Sequence, residues 1–355
     1  MKRLPLVAIL AIAVVVCNAQ KVDLDKFNFT FDYRDLPSNP LNPEFKTFSS
    51  NFSLSGSIRD QYDQTGLEEM VNIDGWKRVS GVPGHIIISV SMEDLMITSS
   101  QIVERVDIQK DKDGKETGRK YYYKATAGYT WAGKANIKDH KETAINNYSM
   151  GSSTPKEWAS SEYPTRKEAM EYYNMNKSEI KGQLIRQEVT AGLSALSTWM
   201  SNNYGYPTRK EAEVLWILDN KKHPEYPTQK EAWDKFKPAV AAVNQNELPA
   251  STKQTFEELL KYFDSIVAKY PADEKADKKM RYASFYNKAK IYLYLDQPEN
   301  AIKEADALIA NDYDAGDGKR IRKEAEAVIE AFKKNNMTSR HFPIDLSAVQ
   351  PPAAN

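Results

Sequence analysis

Histidine moves protons near neutral pH and holds transition metals, and the chain has four: His85, His140, His223 and His341. No two of them stand at metal-ligand spacing on one element, and the sole cysteine, Cys17, lies in a leader-like segment. A structural zinc site draws on Cys and His, so no metal and no cofactor are expected. The string KDKDGKET (110–117) invites a calcium reading, but in EF-hand register its twelfth position is Lys120, a cation where a bidentate carboxylate belongs. Asp113-Gly114 reads better as a hairpin turn. GYTWAGKA (128–135) has the glycines and lysine of a phosphate loop, yet Ala135 stands where Ser or Thr would hold magnesium. Acidic residues abound, but no spacing selects a catalytic pair; Glu93 and Asp94 read as a strand end or turn.

The ends of the chain bear on where such residues would work. Residues 1–20, MKRLPLVAILAIAVVVCNAQ, place Lys2 and Arg3 before an apolar run and small residues after it, the pattern of a secretory signal peptide cleaved after Ala19. In the alternative, Cys17 is kept and acylated as in a lipoprotein; Val16 fits that pattern poorly. No later window reaches the roughly 18 apolar residues of a transmembrane helix. Lys plus Arg number 49 and so do Asp plus Glu; loss of Lys2 and Arg3 leaves a formal charge of −2. No global field favours nucleic acid or an anionic membrane.

Periodicity divides the chain. From 20 to 150 it predicts a β-rich domain. FNFTFDY (27–33) alternates aromatic residues, FKTFSSNFSLSG (45–56) supplies a second strand, and HIIISVSMEDLMI (85–97) a central one. VERVDIQ (103–109) and GRKYYYKATAGYTWAGKANI (118–137) form the arms of a hairpin. From 151 to 250 the period becomes helical, with Ile185, Val189, Leu193, Leu196 and Trp199 on one stripe, and this segment is expected to pack on the sheet. Residues 251–336 read as antiparallel helices, with capping-box spacing at Ser251/Gln254 and Asp296/Glu299. The tail, 337–355, reads as extended or disordered, with Phe342, Ile344 and Leu346 able to dock. The fold class expected is α+β.

The heptapeptide YPTRKEA occurs at 163–169 and 206–212 and returns as YPTQKEA at 226–232. Each copy spaces a threonine three residues before a glutamate, the capping-box interval, which predicts helix starts near Arg166, Arg209 and Gln229. A duplicated module or a shared docking epitope is the alternative.

Ala289 and Tyr292, the tight turn DQPEN, and Ala301, Ala305 and Leu308 give residues 251–336 a pattern that resembles the tetratricopeptide repeat family. The first-helix tryptophan of that family is absent. The signal sequence ending NAQ and the KVDLDKFNFTFDYRDLP that follows resemble exported envelope proteins of the Bacteroidota. These resemblances imply a non-enzymatic exported protein of the periplasm, cell envelope or cell surface, an adapter or scaffold that binds an envelope protein or peptide. Nucleic acid is not an expected partner; peripheral outer-membrane association is compatible with this reading. Tyr282, Tyr286, Asn287 and Lys290 on the inner helix would meet the partner. The alternative is a glycan-binding protein or glycan-acting hydrolase using Tyr121, Tyr122, Tyr123, Tyr129 and Trp131, although strand alternation splits these between two faces.

Overall fold

The computed structural model describes residues 21–353, so the expected signal peptide and Cys17 lie outside the described residues. The elements run β1 (Leu24–Arg34), β2 (Thr47–Leu54), α1 (Gly56–Arg59), α2 (Gln64–Met70), β3 (Lys77–Arg78), β4 (Ile86–Met92), β5 (Met96–Lys110), β6 (Glu116–Asp139), β7 (Ala144–Ala159), α3 (Arg166–Tyr204), β8 (Thr208–Leu218), α4 (Tyr226–Ala241), α5 (Ala250–Lys269), α6 (Lys275–Tyr294), α7 (Pro298–Ala310) and α8 (Ala315–Asn335). Strands gather toward the N-terminus and helices toward the C-terminus, an α+β fold.

Two compact units share the chain. The sheet unit holds Arg34–Thr208, Lys334–Asn336 and the tail from Phe342; the helical unit holds the described residues up to Tyr33, Arg209–Lys333 and Met337–His341.

In the sheet unit, β4 and β5 follow one another along the same side of β6, both antiparallel to it, while β2 runs parallel to β4, β3 parallel to β2, and β7 antiparallel along β6. Alternation decides which face is buried. Ile86, Ile88, Val90 and Met92 lie opposite Asp139, Ile137, Ala135 and Gly133, so their side chains share one face with Trp131 and Tyr129. Helix α3 covers that face with Ile185, Val189, Leu193, Leu196 and Met200, all buried. Each such side chain removed from water contributes about 1.5–3 kcal/mol before entropy is charged against it.

The helical unit is built on a two-stranded ribbon of β1 and β8. Phe31 and Leu215 from the ribbon pack with Trp233, Phe236, Phe256, Phe263, Ile291 and Tyr294 from α4, α5 and α6. A second cluster joins Ala289 of α6 to Ala301, Ala305 and Leu308 of α7 and to Ile321 and Ala325 of α8. The small residues let these helices approach closely.

Several expectations change here. Residues 27–33 form a strand, but its partner is β8 and it belongs to the helical unit, not to the front sheet. Strand β7 (Ala144–Ala159) runs past 151, where the period predicts helix, as far as Ala159. Of the three heptapeptides, only the first opens a helix by a capping box: Thr165 Oγ1 accepts from the Glu168 N–H and the Glu168 carboxylate from the Thr165 N–H, both at 3.2 Å. The second copy is the start of β8, because the EVLWIL that follows it alternates and buries Glu213, Leu215 and Leu218. The third forms the first two turns of α4, which begins at Tyr226 with no side-chain cap; Gln229 turns inward, its Oε1 accepting from the Leu218 N–H. Ser251 and Asp296 do not cap their helices either. Asp296 instead takes a positive φ of 55° in the α6–α7 turn and accepts from Arg340 Nε at 2.8 Å. Among the described residues, 337–353 of the tail have neither helix nor strand, and they are held, Phe342 standing edge-on to Tyr206 with ring centroids 5.5 Å apart.

Candidate interaction site

The side chains expected to meet a partner point into the helical unit itself. Tyr282, Tyr286, Asn287 and Lys290 are all buried on α6. The Tyr282 hydroxyl donates to Asp317 at 2.6 Å, and Arg320 donates to the Tyr286 hydroxyl at 3.4 Å. Asn287 holds the main chain of β8 at two points, its Nδ2 donating to the Trp216 carbonyl at 2.7 Å and its Oδ1 accepting from the Trp216 N–H at 2.8 Å. Lys290 lies 2.9 Å from Glu213 and 3.1 Å from Glu324, and Tyr294 donates to Glu213 at 3.0 Å. Burial pushes the Glu213 carboxyl up against the pull of Lys290. Burial opposes the Lys290 charge as well, but Glu324 and Glu213 outweigh it and hold the ammonium above its ordinary value. The face expected to dock a partner is covered by β8, a strand where the heptapeptide predicts a helix, and by α8.

The aromatic residues of β6 are likewise divided. Tyr129 and Trp131 are in the core, the Tyr129 hydroxyl donating to Glu188 at 3.1 Å, and burial beside Glu188 pushes Tyr129 up to about 12. Lys156 neutralises Glu188 at 2.7 Å. Tyr123 is anchored by main-chain bonds to Tyr163, Tyr122 lies under the Arg105 guanidinium at 4.5 Å, and Tyr121 is exposed.

Topology brings His85 and His140 together where their sequence spacing gave no sign of it. Their ring centroids are 5.9 Å apart, with Phe45 against both, and Thr47 Oγ1 lies 2.6 Å from His85 Nδ1. They line a cavity of about 400 Å³ with Asn42, Glu44, Asp139 and Lys141. Burial, and then the neighbouring His140, push the His85 imidazole down. Among the described residues no group of three or more His, Cys, Asp or Glu side chains converges as a metal would require. The signal for this pair was two histidines at the ends of strands that prove to be neighbours, His140 donating its backbone N–H to the His85 carbonyl at 3.0 Å.

The sheet also presents open main chain along β5. Pairing of β2 with β4 ends at Leu54 opposite Met92, so from Met96 onward β5 has β6 on one side and, among the described residues, no strand on the other. All but two of its 15 residues are exposed, and the ladder continues to Lys110 opposite Glu116. At the turn Asp111 accepts from the N–H groups of Asp113 and Lys115, and Gly114 takes φ +80°, the left-handed conformation a glycine adopts without strain. Val106 lies opposite Tyr121, so these two share a face with Ile108, and all three are exposed. Arg105 pairs with Glu162 at 2.7 Å and with Asp107. An edge of this length is a template for a further strand.

Neither a family model nor a curated protein matches the chain. A crystal structure of a minor lipoprotein from Acinetobacter baumannii aligns with 47% of this chain and 98% of its own at 9% identity, with a TM-score of 0.19, too low to assign a fold.

Proposed function

We propose that this is an exported envelope protein that works by holding a protein partner rather than by catalysis, and that the partner adds a strand to β5. The observation that carries this reading is the outer side of β5, whose backbone from Met96 to Lys110 faces no other strand among the described residues. Main-chain bonds supply affinity in such additions and the alternate side chains supply selectivity. Export rests on the leader-like residues 1–19; among the described residues no helix is long and apolar enough to cross a membrane.

The helical unit is a tetratricopeptide-like module in this reading, supported by the antiparallel α6–α7 hairpin and its alanine-lined crossing. Its departure from the family is spacing. Helices α4 and α6 begin at residues 226 and 275, 49 apart, where a regular array repeats every 34 or so. With β8 laid against α6, the module serves as a rigid body and leaves recognition to the sheet.

Amine-directed crosslinking in intact cells, read by mass spectrometry, tests the proposal. Lys110, Lys115 and Lys120 flank the β5–β6 turn, and links from them to another polypeptide chain, lost in a V106P variant that blocks strand addition, are the expected result. Links that persist unchanged in V106P, together with glycan binding on an array, would overturn it in favour of a glycan-directed role.

A further inference from the structure

We infer that the strand added to β5 is β5 of a second copy, paired antiparallel about Val106; this rests on the reading of β5 as the docking edge. Residues directly opposite in an antiparallel ladder point to the same face, so a two-fold axis relating two copies of one strand must pass beside a single residue opposite its own copy. That restricts the choice of register. An axis at Glu104, Arg105 or Asp107 sets like charges face to face. An axis at Ile108 leaves a ladder that ends at Lys110 after two residues on either side. Axes nearer Met96 drive the turn of the second copy, residues 111–115, toward α1, which sits at that end of the edge with Ser57 donating its backbone N–H to Asp94 at 3.2 Å.

With the axis at Val106, Arg105 of each copy faces Asp107 of the other, and Val106 faces Val106. The ladder runs from Ile102 opposite Lys110 to Lys110 opposite Ile102. Arg105 and Asp107 are both about half exposed and already adjacent within one copy, so pairing builds a square of alternating charge without burying a lone ion. Charges on an edge usually guard it against addition; here their order repels the registers centred on Glu104, Arg105 and Asp107 and admits this one. The exposed Val106, Ile108 and Tyr121 become continuous with the same residues of the second copy and leave water together.

Sedimentation of the purified mature chain over a concentration series is the test, with circular dichroism to confirm folding of each variant. A reversible dimer is expected. R105D and D107R each weaken it about tenfold by facing like charges across the ladder, and the double variant R105D/D107R, which restores opposite charges at both positions, recovers dimerisation. V106C gives a disulfide-linked dimer on mild oxidation, whereas Q101C does not. A dimer indifferent to both single reversals, or crosslinked at Q101C instead, overturns this pairing. A chain that stays monomeric overturns the second copy as occupant. If its turn lysines still link to another polypeptide in cells, the docking edge stands; if they do not, both fall.

Discussion

Three near-identical heptapeptides give three different local outcomes, and the difference lies in single side chains. Thr165 receives the Glu168 N–H and its own N–H is answered by the Glu168 carboxylate; Thr208 and Thr228 are exposed and cap nothing. T165A therefore lowers the unfolding free energy by about 1 kcal/mol, while T208A and T228A stay within about 0.5 kcal/mol of the parent. Urea titrations of the three variants, followed by circular dichroism, decide this; equal losses in all three would sink the distinction. The threonine-to-glutamate interval was legible in the sequence, but its use was not. A capping box is realised only when the following residues gain more as helix than as strand. EVLWIL after the second copy buries more as one face of a ribbon, and the third copy is displaced by Gln229 reaching Leu218. The same holds for the four α6 residues. Their polar and aromatic character was plain, whereas their burial depends on α8 and on β8, and the repeat obscured the strand state of β8.

At the scale of elements, the apolar stripe of α3 was visible as Ile185, Val189, Leu193 and Leu196, and the structure buries all four against the sheet. What the stripe did not disclose is how closely the helix approaches β6. Gly192 sits under Trp131: a Cβ there would lie 2.9 Å from Trp131 Cη2 and 3.4 Å from Met150 Cβ. Gly182, ten residues earlier, would place its Cβ no nearer than 3.5 Å to Arg186 Nη1, an ordinary contact. Both glycines weaken a helix relative to alanine by about 0.5–1 kcal/mol, yet only one can be replaced at a profit. G182A raises stability by about that amount, whereas G192A lowers it by about 1–3 kcal/mol, since Trp131 has no room to retreat within the core. Thermal unfolding monitored by tryptophan fluorescence separates the two, and a stabilised G192A would mean that α3 and β6 are less closely packed than the geometry requires. The strands flanking Asp113-Gly114 were legible for the complementary reason: a turn dipeptide and its two arms are local in sequence.

Across the whole molecule, the pairing of β1 with β8 was illegible because a strand's period declares that it will pair and not with what; about 180 residues separate the two. The His85–His140 pair was hidden the same way. Those long-range placements bury titratable groups, and burial sets how each unit responds to pH. In the helical unit, burial pushes Tyr294 well above its ordinary value, and Tyr262, Tyr270 and Tyr282 are raised for the same first reason. Lys288 and Lys290 are raised because their carboxylate partners outweigh burial. For all six groups the protonated form is the one the fold prefers, so their contribution is complete below the unfolded values, about 10 for Tyr and 10.4 for Lys, and is lost as pH rises beyond them. His223 and His341 are pushed down by burial; their contribution is complete above about 6.5 and is lost as pH falls. Glu213 and Glu304, raised by burial, favour the fold when protonated and offset part of that acid loss. The helical unit is thus most stable between about pH 6.5 and 10, with the steeper fall on the alkaline side, where six groups act together. Urea midpoints measured across pH, alongside tyrosinate ultraviolet absorbance, test this. Absorbance from the buried tyrosines should rise only as the unit unfolds. Complete ionisation of all tyrosines with the circular dichroism unchanged would show that Tyr294 and its neighbours reach solvent without unfolding.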